Sequence, residues 1–297
     1  MAKTTLRRAE NVPGDFFVDT TCIDCDTCRW IDPRTFGRAG EQSFVQAQPD
    51  GADAEQRALM ALVACPTASI GTVAKHDVKP AIAAFPERIA DGVYHCGFHD
   101  ERTFGAASYL VVRPGGNVLV DAPRFSAPLV ERIAALGGVA TLFLTHRDDV
   151  GAQARFRERF HCERVVHARD ADAIPGAERV IEGDADVALA DDLVVIPTPG
   201  HTEGSACLLH RGRAESFLFS GDHLAFSARL QHVYAFRTAC WFDWDVQIES
   251  VRRLAGHEFE WILPGHGRRC RFDRATMRRE IEGCVEWMRG NAPDPDE

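Results

Sequence analysis

The chain has 297 residues, of which 45% are hydrophobic and 26% are charged, as in a globular protein large enough for about two domains. Its 34 basic and 44 acidic residues give a net charge of -10, which argues against a general nucleic-acid binder. The N-terminus lacks the apolar core of a secretory signal and no later run approaches a membrane span, so we expect a cytoplasmic protein without a membrane partner.

The first predicted elements surround a cysteine-rich loop. A short strand, FFVD at residues 16–19, leads into the loop, and a second strand, SFVQAQ, begins near Ser43. The segment 53–64 has helical spacing, with Asp53 as the expected N-cap. The apolar stripe expected to be buried on this helix consists of Leu59, Leu62 and Val63.

Four cysteines form the most specific motif of the chain. Three follow the spacing C-x-x-C-x-x-C in CIDCDTC, and the fourth follows the predicted helix; they are Cys22, Cys25, Cys28 and Cys65. A cubane cluster needs four thiolates that converge from different directions, so the pattern predicts one 4Fe-4S cluster. A zinc site would more naturally show paired C-x-x-C units with matched histidines. A disulfide framework fits poorly, because the other six cysteines show no paired spacing.

The triplet spacing and the Cys65-Pro66 pair resemble the cluster-binding pattern of bacterial ferredoxins. The second triplet of a two-cluster ferredoxin is missing from the sequence, so the resemblance implies a single cluster. We therefore expect a ferredoxin-like 4Fe-4S domain over residues 1–73. The following residues, 74–85, mix charges with proline and are expected to form a linker.

Beyond the linker, apolar strands alternate with amphipathic helices. A Pro-Gly-Gly turn separates two strands within residues 109–123, and a helix is predicted over residues 127–136. The later predictions, in chain order, are the strands TLFLTH, RVVHA, LVVIPTPGH, ACLLH and SFLFSGD, a helix near 245–255, the strand WILPGH and a helix near 275–288.

Four of these strands run into a polar residue where they end. The loop at the end of a buried strand can hold a polar ligand at a rigid position, so four such ends predict a metal site. The residues at the ends are His146, His201, Asp222 and His266.

The order of these segments resembles the metallo-β-lactamase fold superfamily. PTPGHTEGS, SGDH and LPGHG are close to the family form, and the resemblance covers about residues 86–297. It implies an αββα sandwich with metals at one edge of the sheets. The whole chain then has an α+β fold, a ferredoxin-like domain followed by a metallo-β-lactamase-like domain.

The first metal motif departs from the superfamily pattern H-x-H-x-D-H, because the sequence has HRDDVG from residue 146. The resemblance therefore implies one ion, held by His146, His201 and Asp222, with Asp148 as a fourth ligand or a catalytic residue. A second ion would have only two ligands, Asp222 and His266. Without that ion, His266 would orient substrate or water. Non-heme ferrous iron favours two histidines with one carboxylate, whereas zinc accepts the same ligands.

Two further clusters allow a structural and a functional interpretation. The arginines after the last strand form a solvated basic turn or attract an anionic small-molecule substrate. An aromatic cluster before the penultimate helix packs in the core or forms a substrate wall. The residues are Arg268, Arg269 and Arg271 in the first cluster, and Trp241, Phe242 and Trp244 in the second.

Three hypotheses for the function follow from this combination of sites. In the first, the cluster exchanges electrons at a mononuclear iron or zinc site that acts on a small substrate, with or without an electron-transfer partner protein. In the second, the protein is a mononuclear metallo-hydrolase with a structural or regulatory cluster. In the third, it is a non-catalytic electron carrier or redox sensor. The fusion favours redox chemistry, because hydrolysis does not require an electron carrier.

Overall fold

The computed structural model describes residues 2–290. Its N-terminal region contains two small antiparallel pairs and two helices. The first and last strands of the region pair with each other, so the two ends of the region lie side by side. These elements are β1 (Phe16–Val18), α1 (Thr27–Ile31), the hairpin of β2 (Phe36–Ala39) and β3 (Gln42–Val45), α2 (Ala52–Ala64) and β4 (Ile70–Thr72).

The predicted helix before the fourth cysteine is present as α2, but its expected N-cap is wrong. Gly51 takes that position at φ +84°, and Asp53 lies in the first turn, where its negative charge favours the helix dipole. Leu62 is only partly buried, whereas Leu59 and Val63 are buried as expected. The buried face is wider than the predicted stripe because α2 packs against α1 on one side and against a later helix on the other.

The segment expected to be a linker contains that later helix, α3 (Lys79–Ala83). Pro80 lies in its first turn, where the missing amide proton costs no hydrogen bond. Ala81 is fully buried, and α3 contacts both α2 and the helix that follows residue 126. Residues 79–83 are therefore packed between helices.

A seven-stranded mixed sheet follows. The strands before residue 121 are antiparallel to one another, and the later ones are parallel. In spatial order from one edge they are β11 (Arg179–Ile181), β10 (Glu163–His167), β9 (Thr141–Phe143), β8 (Val118–Val120), β7 (Tyr109–Val111), β6 (Val93–His95) and β5 (Glu87–Ala90).

A six-stranded sheet forms the second half of the sandwich. In spatial order it contains β12 (Val187–Ala190), β13 (Leu193–Pro197), β14 (Ala206–Arg211), β15 (Ser216–Gly221), β18 (Trp261–Pro264) and β19 (Cys270–Arg271). A separate hairpin of β16 (Ala225–Ser227) and β17 (His232–Tyr234) follows β15 in the chain. The outer helices are α4 (Ala127–Ala135), α5 (Gln153–Phe160), α6 (Trp244–Leu254) and α7 (Arg274–Arg289).

Alternation along the strands determines how the layers pack. Tyr109, Val120 and Phe143 face the second sheet and share a core with its side chains, whereas Leu110 and Leu119 face the helices. The core on the helix side also includes apolar side chains of β1 and α2, so the N-terminal region is packed onto the sandwich. Within residues 2–290, no helix combines the length and apolar character needed to cross a membrane.

Candidate functional site: a cysteine pocket and a histidine–aspartate centre on one cavity

The four motif cysteines line one small cavity between the cysteine loop, β3, and the end of α2. Backbone amides point at two of the sulfurs: Ser43 N lies 3.4 Å from Cys22 Sγ, and Ser69 N lies 3.3 Å from Cys65 Sγ. Burial, together with the neighbouring Cys65 and Cys22 sulfurs, raises the pKa of Cys25 to about 12. Thiolates in this pocket therefore need a compensating positive charge, which the irons of a cluster would supply.

The cysteine pocket suits a cluster better than a single ion or a disulfide. Among residues 2–290, the two donor groups compact enough to hold one ion contain no cysteine. All ten cysteines are free thiols. The four sulfurs surround a cavity, as a cubane cluster requires, and we assign the cluster to these four residues as a proposal.

A buried arginine holds the cysteine loop in shape. Asp24 and Asp26 both adopt φ +62°, a left-handed conformation that aspartate tolerates better than most residues. The Arg29 guanidinium lies 2.5 Å from a carboxylate oxygen of each. It also donates to Ser43 Oγ at 2.8 Å, which joins the loop to β3.

The second centre brings together three residues that the sequence predicted as ligands. His146, His201 and Asp222 are buried, with ligand atoms within 4.8 Å of one another. Asp222 Oδ2 lies 3.7 Å from His146 Nε2 and 3.8 Å from His201 Nε2. Both histidine Nε2 atoms are buried without a hydrogen-bond partner. Because buried polar atoms are normally satisfied, two unsatisfied imidazole nitrogens beside one carboxylate fit a metal ion.

A hydrogen-bonded network behind the centre orients one of these histidines. Asp121, at the end of β8, accepts hydrogen bonds from the Thr145 backbone amide at 2.9 Å and from its hydroxyl at 2.9 Å. The hydroxyl oxygen lies 3.0 Å from His146 Nδ1 and can accept its proton. This arrangement leaves a lone pair on His146 Nε2, as a metal ligand requires. Burial lowers the pKa of His146 to about 4, which keeps the ring neutral.

A second donor group adjoins the first and contains a residue that the sequence prediction missed. Asp149, Asp222 and His266 also have ligand atoms within 4.8 Å of one another. Asp149 is buried, and its Oδ2 has no hydrogen-bond partner. The prediction left only two donors for a second ion, whereas the structure supplies three. The Asp-Asp pair after His146 could have indicated this additional ligand, but only its second aspartate is buried.

The two residues predicted to be catalytic occupy different positions. Asp148 is half-exposed at the rim, with Oδ2 3.6 Å from His201 Nε2, and it belongs to neither compact donor group. His266 Nδ1 lies 2.8 Å from both carboxylate oxygens of Asp222. Burial opposes both charges in this pair, but the contact prevails: it raises the pKa of His266 and lowers that of Asp222.

The cysteine pocket and the histidine–aspartate centre border the same cavity, which has a volume of about 740 Å³. Cys25 and Asp222 both line its wall. The remaining wall includes charged residues at the rim and aromatic residues from the later loops. Among the lining residues are Asp148, Asp149, His201, His266, Phe104, Tyr234, Phe236 and Trp241.

A short loop after β6 connects the two centres. Gly105 has φ +88°, and a Cβ at this position would lie 2.8 Å from Cys25 Cβ and 3.0 Å from its Sγ. The adjacent Phe104 ring lies 6.0 Å from the His266 ring. No motif indicates this junction, because it depends on how two distant segments pack.

The structure contradicts the core interpretation for two residues of the aromatic cluster. Trp241 and Phe242 are 66% and 48% exposed, so they are not core residues, and the Trp241 ring lies 6.3 Å from the His201 ring. Trp244 is partly buried at the start of α6.

The arginine turn is also only partly solvated. Arg268 Nε and one terminal nitrogen of Arg269 are buried, and the Arg269 guanidinium lies 5.7 Å from the Trp30 ring centre. Arg271 is exposed and pairs with Glu215 at 2.5 Å. The turn therefore faces the N-terminal region, and the expected solvated turn is wrong for its first two arginines.

Comparison with known proteins identifies both parts of the chain. Residues 18–72 match the family described as the 4Fe-4S single cluster domain of ferredoxin I. The chain is 35% identical to a hydroxyacylglutathione hydrolase of Rhizobium etli over 114 residues, 37% of this chain and 43% of that protein. It is also 35% identical to a hydroxyacylglutathione hydrolase of Rhodospirillum rubrum over 163 residues, 51% of this chain and 61% of that protein. The chain thus spans about half the length of these relatives.

Solved structures show the fold of the larger part. The chain superposes on VMB-1 with a TM-score of 0.52 and 12% identity, over 68% of this chain and 95% of that chain. A HARLDQ-motif mutant of a metallo-β-lactamase from Cronobacter sakazakii superposes with a TM-score of 0.50 at 15% identity, over 69% of this chain and 96% of that chain. The chain therefore joins a single-cluster 4Fe-4S ferredoxin domain, at residues 18–72, to a metallo-β-lactamase fold.

Proposed function

We propose that the protein is an iron–sulfur oxidoreductase whose cluster exchanges electrons with a small substrate bound in the shared cavity. The observation that carries this proposal is that Cys25 borders the same cavity as His201 and Asp222. A cluster with only a structural role has no need of access to the substrate cavity. The redox hypothesis accounts for this access directly.

The metal site has a chemistry that suits this role. His146, His201 and Asp222 would hold one ion, which we propose to be iron, because two histidines and one carboxylate leave open positions for substrate. When bound, the ion would supply a Lewis acid beside the substrate. Asp149 and His266 complete the adjoining donor group with Asp222, so the number of ions is part of the test.

The cavity wall indicates a substrate with an apolar part. Phe104 and Trp241 are exposed aromatic side chains that line the cavity. The arginines at the rim already have acidic partners: Arg38 lies 2.8 Å from Asp24, and Arg102 bonds to Asp100. An anionic group is therefore not required for binding, and we propose an apolar small molecule that exchanges electrons.

The test is metal analysis and single-turnover spectroscopy of protein purified without oxygen. The proposal expects about five irons per chain, four in the cluster and one at the second centre. Mixing the reduced protein with a substrate should reoxidise the cluster. Asp222→Asn should retain the cluster absorption and lose the second metal and the reoxidation. Stoichiometric zinc, together with a cluster whose oxidation state never changes during turnover, would refute the proposal.

A hydrolase is the second candidate, favoured by two observations. The similar proteins from Rhizobium etli and Rhodospirillum rubrum are hydroxyacylglutathione hydrolases, and the second donor group could hold a second ion. A thioester hydrolysis assay distinguishes the candidates. Turnover that is equally fast with the cluster oxidised, reduced or removed by Cys65→Ser would establish the hydrolase and exclude an electron-transfer role in that reaction.

A further inference from the structure

We propose that His95 takes up a proton when the cluster is reduced, through a buried hydrogen-bond chain that ends on Cys25. The chain lies between the cysteine loop and the first sheet and is separate from the histidine–aspartate centre. It requires the cluster but not the proposed reaction, so it can hold whether the protein is an oxidoreductase or a hydrolase.

The chain is continuous over four side chains. Thr27 Oγ1 lies 3.4 Å from Cys25 Sγ and 3.1 Å from His99 Nδ1. His99 Nε2 lies 2.9 Å from His95 Nε2. Both imidazoles are buried, and the Trp30 ring packs against them at 4.9 and 5.8 Å between ring centres.

The acceptors in the chain fix the direction of its hydrogen bonds. His99 Nδ1 lies 2.5 Å from the Gly105 carbonyl oxygen, which can only accept, so Nδ1 carries the proton. His99 Nε2 must then accept from His95 Nε2. A cluster thiolate can only accept from the Thr27 hydroxyl. The hydrogen bonds from His95 to His99 and from Thr27 to Cys25 thus point toward Cys25, where electron density increases on reduction, and His99 Nδ1 shares its proton between Thr27 Oγ1 and the Gly105 carbonyl.

This direction leaves one nitrogen available for a further proton. His95 Nδ1 is buried without a hydrogen-bond partner and lies 3.9 Å from Glu87 Oε2, which also has none. Glu87 is held by Arg57 at 2.6 Å and is partly exposed, so it connects the chain to solvent. A proton on His95 Nδ1 would place a positive charge within ion-pair distance of the Glu87 carboxylate.

The pKa shifts indicate that His95 and His99 are both neutral at rest, with His95 beside the Glu87 carboxylate. Burial lowers the pKa of both His95 and His99. Burial opposes the charge of Glu87, but His95, Arg57 and Arg269 lower its pKa to about 2. The other groups that face the pair are Tyr109 beside His95, and Arg124 and His266 toward His99.

The coupled step balances as one electron and one proton. A one-electron donor, such as dithionite or a reduced flavin, is oxidised, and the cluster is reduced by that electron. A solvent proton forms a bond to His95 Nδ1, and the charged imidazolium pairs with the Glu87 carboxylate, which lies 3.9 Å away. The positive charge on His95 offsets the negative charge added to the cluster.

The test is the midpoint potential of the cluster in the full chain, from about pH 6 to about pH 9, where histidine titrates. The wild-type potential should fall with a slope approaching 59 mV per pH unit, the value for one proton per electron. His95→Gln should flatten the slope. Glu87→Gln should move the sloping region to lower pH, because the proton loses its carboxylate. His210→Gln, at a buried histidine in the other sheet, is the matched control and should keep the wild-type slope.

A wild-type potential that does not change with pH overturns the proposal. A slope that stays unchanged in His95→Gln, together with a sloping region that does not move in Glu87→Gln, also overturns it. If His95→Gln fails to retain the cluster, the wild-type slope and the milder Glu87→Gln variant still decide the outcome.

Discussion

Replacing Arg29 by methionine removes the charge that holds the cysteine loop. The side chain is only 6% exposed and pairs with the buried carboxylate of Asp26 and the partly buried carboxylate of Asp24. Asp24 keeps a second partner in Arg38 at 2.8 Å. The lost ion pair therefore destabilises mainly Asp26, whose second carboxylate oxygen already has no hydrogen-bond partner. Breaking a buried pair from one side costs about 3–5 kcal/mol. The opening equilibrium of the loop should therefore rise by about a hundred-fold to a few thousand-fold.

Amide hydrogen exchange on the anaerobic holoprotein measures this change without requiring reversible global unfolding. Protection should fall in the cysteine loop, in α1 and in β3. Adding Asp26→Asn to Arg29→Met should restore much of the protection, because it removes the unpaired charge. A decrease of less than about tenfold, or no recovery in the double variant, would refute the argument that this charge pair holds the loop.

Three further predictions address the junction, the ligand support and pH. Gly105→Ala should lose the cluster, because the added Cβ would overlap Cys25. Gly283→Ala is the control and should retain the cluster, because a Cβ there meets open space. Equal cluster absorbance in the two variants contradicts this prediction. Asp121→Asn should weaken the second metal by about 10–100-fold in a chelator competition, through the hydroxyl that orients the ligand histidine. Hydrogen bonds to acidic neighbours raise the pKa of His76, so its stabilisation is full below about pH 6.5 and is lost as pH rises through that raised pKa. Denaturation of wild type and His76→Gln should therefore differ most at low pH.

The sequence predicted the larger strands well because buried strands must be apolar. TLFLTH, LVVIPTPGH and SFLFSGD each contain a strand, and the residues that follow these strands bring His146, His201 and Asp222 together. The edge strands β5 and β12 were missed, since each has only four residues and none of them is fully buried. Alternation and apolar runs thus located the centre of each sheet but not its margins.

The missed site features depend on contacts between distant segments. Whether Asp148 or Asp149 faces inward is decided by the loop conformation, which a two-residue motif does not specify. Trp241 has a large apolar side chain of the kind usually found in a core, but its loop lies on the surface beside the cavity. The His95–His99 contact joins the end of one strand to the loop that follows it, and its connection to Thr27 spans 72 residues of sequence. None of these contacts leaves a periodic signal.

The position of the cluster relative to the cavity is set by buried contacts and does not depend on a flexible tether. The His99 amide donates to the Ala64 carbonyl at 3.2 Å, one residue before a cluster cysteine, and Arg57 bridges the Ile31 carbonyl and Glu87. A single apolar core spans both parts. Separating the N-terminal region would therefore expose Cys25 and break the histidine chain together. Electron exchange between cluster and cavity should consequently be intramolecular, with a rate that does not depend on protein concentration, whereas exchange through a docked second copy would accelerate on concentration.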